Sequence, residues 1–210
     1  MKTTNLILLF AIALSSAVFG KDRYKSQMTK NIEVVYKAQT VEELQQVVNT
    51  FERIGNAEKD RWEPFYYASF GNIMLANKEK DGAKKDGFLD LAKSALDKAS
   101  AIKPNESEIV ALEGFIHMVR VTVDPASRGQ QFSMLSMQAF GKALGTNPNN
   151  PRAMMLMAQM QFGTALFFKQ APTEACETAT KALALFTEPN DSLSPSWGKG
   201  MTEGLLKQCR

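Results

Sequence analysis

Residues 140–161, FGKALGTNPNNPRAMMLMAQMQ, hold the end of one helix, an Asn/Pro turn and the start of the next. Phe140 and Ala143 lie three apart, on one helical face. Pro148 closes the turn, and Pro151 opens the following helix, where its missing N–H costs nothing. The same spacing recurs upstream as Leu96, Ala99 and Pro104, and more weakly as Phe51, Ile54 and Lys59. A return at about 44 residues points to stacked helix pairs rather than one irregular globule.

Working outward, each segment carries a helical stripe and a stop. Met28, Ile32, Val35 and Tyr36 share one face. Thr40 and Glu43 form a capping box ahead of Leu44, Val47, Val48, Phe51 and Ile54, with Gly55 as the expected stop. Asp60 is expected to cap a helix holding Pro64, Phe65, Ala68 and Asn72. Lys78 to Gly87 reads as a charged loop of mixed sign. Leu91, Ala92, Ala95, Leu96 and Ala99 then face inward, and Asn105 or Ser107 starts the next helix, which holds Ile109 to Val123. Residues 188–196 read as a polar, Pro-containing loop. Pro195 to Gln208 reads as a last helix, with Trp197, Met201, Leu205 and Leu206 on its stripe. No stretch alternates with period two, so the fold class is all-α: about four helix pairs and a capping helix.

The first residues have an export layout. Lys2 precedes the apolar run Leu6–Leu14, and small residues lead to an expected cut after Gly20, which makes residues 1–20 a signal peptide. The run is too short to span a bilayer, so no stable membrane insertion is expected after cleavage. Removing Lys2 takes one basic residue from 25, against 22 acidic. The remaining excess of about two positive charges, with no basic run, gives no footprint for nucleic acid. Residues 21–210 suit a single domain of the periplasmic or secreted class. Cys176 and Cys209 are the only cysteines. In an exported chain an even count predicts a bridge, which in the chain-entropy model stabilises by about 3–4 kcal/mol. Two free buried thiols are the other reading.

The pattern Ala92, Leu96, Ala99 and Pro104, repeated as Ser136, Phe140, Ala143 and Pro148, resembles the tetratricopeptide repeat. The resemblance implies a TPR-like α-solenoid with repeats at 23–60, 62–104, 107–148 and 151–189 and a cap at 195–210. It places small residues at Ser69, Gly114 and Ala158, where paired helices approach closely. It also implies a concave face that binds a protein or peptide partner. Carried onto this chain, the groove positions are Tyr66, Phe70, Phe115, Met118, Arg152, Met155, Gln159 and Phe162. In so short an array the groove filled by the chain's own helices is the competing arrangement.

Signals for catalysis are sparse. His117 is the only histidine, and no nucleophile motif, P-loop or GxGxxG accompanies it. No enzyme activity, cofactor or metal is therefore expected, and a metal-dependent hydrolase centred on His117 is the least favoured reading. Met154, Met157 and Met160 recur every three residues. Methionine is a soft copper ligand, but it also fills cores and adaptable binding faces. The leading expectation is an interaction module. The alternative is a small-ligand binder with a Met/aromatic pocket between helices 105–123 and 151–169.

Overall fold

The computed structural model describes residues 22–188 and 191–209. The export segment read at 1–20 lies outside the described residues. Every regular element among them is a helix: α1 (22–37), α2 (Val41–Ala57), α3 (Glu63–Lys78), α4 (Gly82–Ile102), α5 (Ser107–Val121), α6 (Pro125–Thr146), α7 (Pro151–Phe167), α8 (Thr173–Leu185) and α9 (Lys199–Gln208).

Local chemistry sets the helix starts. At α2 the capping box closes: Glu43 N donates to Thr40 Oγ1 (3.1 Å), and Thr40 N donates to Glu43 Oε2 (3.2 Å). Asp124 and Asn150 cap α6 and α7, each followed by proline in the first turn. Other starts differ from the sequence reading. Asp60 does not cap α3, which begins after Trp62 without a side-chain cap. Asp81 accepts from Lys84 N (2.9 Å) and starts α4 inside the stretch expected to be a loop. Consequently Leu89 points inward, and Leu91 is half exposed. Gly55 is not a stop but lies inside α2, where a Cβ would come within 2.7 Å of the Phe65 ring.

Consecutive helices pack on one another from α2 to α9, and α3, α5 and α7 also touch in series. That is the contact pattern of stacked pairs whose first helices share one side. Gly114 shows how closely a pair meets: a Cβ there would come within 2.4 Å of the Phe140 ring, and Ser136 Oγ donates to Gly114 O (3.0 Å). Neighbouring pairs are joined by a buried relay. Asn150 Nδ2 donates to Ser107 Oγ, which donates to Ala143 O, both at 2.9 Å. These buried polar groups are thereby satisfied rather than costly.

α3 is buried nearly all round, from Pro64 to Ile73. A helix without a polar face needs cover on every side. Here α1, α2, α4 and α5 cover it, and part of its surface meets the segment that follows α8. One continuous core runs from Tyr24 and Met28 through α3 to Leu193 and Trp197.

Candidate ligand groove

The residues before α9 do not extend that helix. Pro195 to Trp197 lie outside it, so the expected start at Pro195 is displaced to Lys199. Gly198 makes the turn with φ +109°, a conformation that glycine adopts without strain. This frees Trp197 to insert against the first helices of the stack. Its ring lies over Phe70 (centroids 5.0 Å, 30°) and Phe115 (5.9 Å, 25°). Its Nε1 donates to Tyr66 Oη at 3.0 Å. Tyr67 Oη donates to Leu193 O at 2.9 Å.

A charged pair lies below the indole. Arg152 Nε and Nη2 each donate to Glu108 at 2.7 Å, and Nη1 reaches Trp197 O at 3.4 Å. Tyr66 Oη donates to Glu108 Oε2 at 3.5 Å. Burial pulls the guanidinium pKa down, but the bonds and charge of Glu108 outweigh it and the net shift is upward. Burial pushes the phenols of Tyr66 and Tyr67 far above their ordinary value, so both stay protonated.

These contacts correct the sequence reading. The space between α5 and α7, where the Met/aromatic pocket was expected, holds Trp197 and the Glu108–Arg152 pair. Tyr66, Phe70, Phe115 and Met155 are buried, and Arg152 is nearly so. Met118 packs at the edge of the main core, while Phe162 belongs to a small cluster with α8 and α9. Gln159 is half-buried. The eight positions therefore do not form one open surface.

The open space lies on the other side of Trp197. A groove of about 560 Å³ runs between the α1–α3 side and residues 196–201. Val35 and Tyr36 of α1, Leu44 of α2, and Phe70 and Met74 of α3 form one wall. Trp197, Gly200 and Met201 form the other. Tyr36 joins the two: its Oη accepts from Ser196 N (3.2 Å) and donates to Tyr67 Oη (3.4 Å). Lys78 and Lys199 are exposed at the groove, and no carboxylate side chain lines it. The volume is in the range of small-molecule sites. A second hollow, along α1, is lined by the polar face of that helix alone. A smaller cleft of about 260 Å³ lies near Met137, Gln161 and Glu174.

His117 is elsewhere, stacked on Phe132 at 5.9 Å. Burial lowers its pKa, so it is neutral at pH 7, and its Nδ1 has no partner among the described residues. Among the described residues no group of three His, Cys, Asp or Glu side chains is placed to hold a metal ion. Met155 and Met160 are buried, and Met154 and Met157 pack against the core. Cys176 and Cys209 are bonded, with Cα atoms 5.9 Å apart. No described helix is long and apolar enough to cross a membrane.

The groove residues Tyr36, Met74, Trp197 and Met201 were not singled out from the sequence as site residues. A signal was present: Leu193 and Trp197 are large apolar residues in an otherwise polar, non-helical stretch.

Fold and groove together describe a helical stack with an aromatic, methionine-lined recess. No protein-family profile matches the chain, the tetratricopeptide repeat included, and no curated protein matches it. Among solved structures the chain is similar to the HusA haemophore from Porphyromonas gingivalis, with a TM-score of 0.79 and 26% identity. The likeness covers 89% of this chain and 92% of that one, so it spans nearly the whole array.

Proposed function

We propose that this protein is an exported, non-enzymatic binder of a flat, largely apolar, carboxylate-bearing small molecule of the haem or porphyrin class. The observation that carries the reading is the groove beside Trp197. Tyr36, Phe70 and Trp197 offer ring surface, and Met74 and Met201 offer adaptable, polarisable contact. Lys78 and Lys199 supply positive charge to a groove whose own lining holds no acid, which suits carboxylates on an apolar body. The likeness to a haemophore favours the same class of cargo. Export is supported by the N-terminal layout and by the Cys176–Cys209 bridge. Partner binding through the concave face would require residues 191–198 to be displaced from Tyr66, Tyr67, Phe70 and Phe115.

The test is titration with haem and with protoporphyrin IX, followed by porphyrin absorbance and tryptophan quenching. Saturable one-to-one binding is expected. Met74→Trp, which fills the groove, should weaken it at least tenfold. Lys78→Gln with Lys199→Gln should weaken binding of the dicarboxylate more than that of its dimethyl ester. Absence of saturable binding, or affinities indifferent to all three substitutions, would refute the reading.

A further inference from the structure

We propose that the Cys176–Cys209 bridge is a positioning element of the groove, so that ligand affinity falls when the bridge is reduced. The proposal rests on the ligand-binding reading above. The two walls of the groove are anchored unequally. The α1–α3 wall belongs to the main core, with Val35, Leu44 and Phe70 buried in it. The opposite wall is Ser196 to Met201, the end of an irregular segment and the first turn of α9.

α9 is only partly embedded: it packs on α8 and more lightly on α7, and Met201 touches the edge of the main core. Of its ten residues only Thr202 and Leu205 are buried. Leu205 packs in a small cluster with Ala158, Phe162, Ala175 and Ala179, in which alanine supplies most of the partners. The threonine hydroxyl donates within the segment, to Gly198 O (3.0 Å). Leu206 joins that cluster, and a covalent bond adds to it at the far end of α9: Cys209, just past the last turn, is bonded to Cys176 in the early part of α8. A helix of this length is a rigid rod of about 15 Å. Pinning its C-terminal end constrains the direction of its N-terminal end, which carries Lys199, Gly200 and Met201 into the groove.

The segment before α9 is tied to the stack through buried Leu193 and Trp197 and the Tyr67–Leu193 hydrogen bond, and only its first two side-chain contacts lie at the surface. Lys25–Asp191 and Thr29–Ser192 are exposed. Trp197 itself is firmly seated. Reduction should therefore leave the indole in place and loosen the wall beyond Gly198. A dithiol reductant breaks the Sγ–Sγ bond, delivers two electrons and two protons to leave two thiols, and is itself oxidised to a disulfide. In a reducing compartment the groove would thus keep Trp197 but lose the fixed position of Lys199 to Met201, and tight binding would await bridge formation.

The experiment uses metal-free protoporphyrin IX, on which a thiol reductant does not act. Its affinity is measured for the oxidised protein, the dithiothreitol-reduced protein and the Cys176→Ser/Cys209→Ser variant, with helical content followed by circular dichroism. Affinity should drop at least tenfold without the bridge, at near-constant helicity. Binding linkage is reciprocal. Saturating protoporphyrin should therefore shift the wild-type thiol–disulfide equilibrium toward the bridge by the same factor. That second measurement needs no variant and decides the matter if the double substitution does not fold. Equal affinity of the oxidised and reduced forms, with no protection of the bridge by ligand, would overturn the proposal and leave the ligand reading standing. Failure of the oxidised protein to bind protoporphyrin would remove the ligand reading and this proposal with it.

Discussion

Replacing Trp197 with alanine should cost far more than a change in an irregular segment between two helices normally does. The side chain is 8% exposed, covers two aromatic rings and gives its only N–H to Tyr66. Truncating a buried tryptophan to alanine costs about 3–5 kcal/mol, including the cavity left between Phe70 and Phe115. Loss of the hydrogen bond to the buried Tyr66 hydroxyl falls toward the upper part of that range. For a chain of this size such a loss lowers Tm by about 6–20 °C. Trp197→Phe separates the terms. It keeps a ring between its neighbours and removes the N–H, so about 1–2 kcal/mol is expected. Guanidinium unfolding followed by circular dichroism measures both, and porphyrin titration should show the alanine variant losing affinity as well. A cost below about 1 kcal/mol for Trp197→Ala, as for a surface substitution, would mean that the segment is not part of the core.

Four further outcomes follow from the structure. Gly114→Ala should destabilise by about 1–3 kcal/mol, because its methyl meets the Phe140 ring. Gly163→Ala, where nothing lies within 4 Å in the exposed part of α7, should stabilise by about 0.5–1 kcal/mol in calorimetry. Arg152→Met strands Glu108 as a buried charge and should cost about 3–5 kcal/mol, whereas Arg152→Met with Glu108→Leu should recover much of that loss in chemical denaturation. Backbone donors from Gln39 and Thr40 hold the Glu43 carboxyl below its ordinary range, and hydrogen bonds from the Ser127 side chain and backbone do the same for Asp124. Such groups bind fewer protons folded than unfolded. Their contribution is full above the ordinary carboxylate range and is lost as pH falls through the lowered folded values, so Tm should decline below about pH 4 and decline less in Glu43→Gln.

Much of the architecture is legible because helix signals are local. The stripe Leu44, Val47, Val48, Phe51, the Thr40/Glu43 box, and the Asn150–Pro151 start all lie within a few residues of what they specify. Small residues at Ser69, Gly114 and Ala158 likewise announce close packing, and all three are buried. Errors gathered where a local cue had two uses. Gly55 has the composition of a stop, yet its value is the room it leaves for Phe65. Lys78 to Gly87 has the charge of a loop, yet Asp81 caps a helix there. Trp197, Met201 and Leu205 fit one helical stripe, yet Pro195 and Gly198 part the first from the other two.

The sequence by itself determined an all-helical chain, the helix stripes, the export layout and the cysteine pair, since each depends on composition or on spacing shorter than a few turns. Only the tertiary structure decided where a ligand has room. Trp197 meets Tyr66 and Phe70 across more than 120 residues of chain, and no periodic pattern encodes such a meeting. The physical reason is that α3, rich in large apolar and aromatic side chains, is buried on every side from Pro64 to Ile73, and the segment that completes its cover carries Leu193 and Trp197. By covering that side of α3, the segment becomes one wall of the groove beside it.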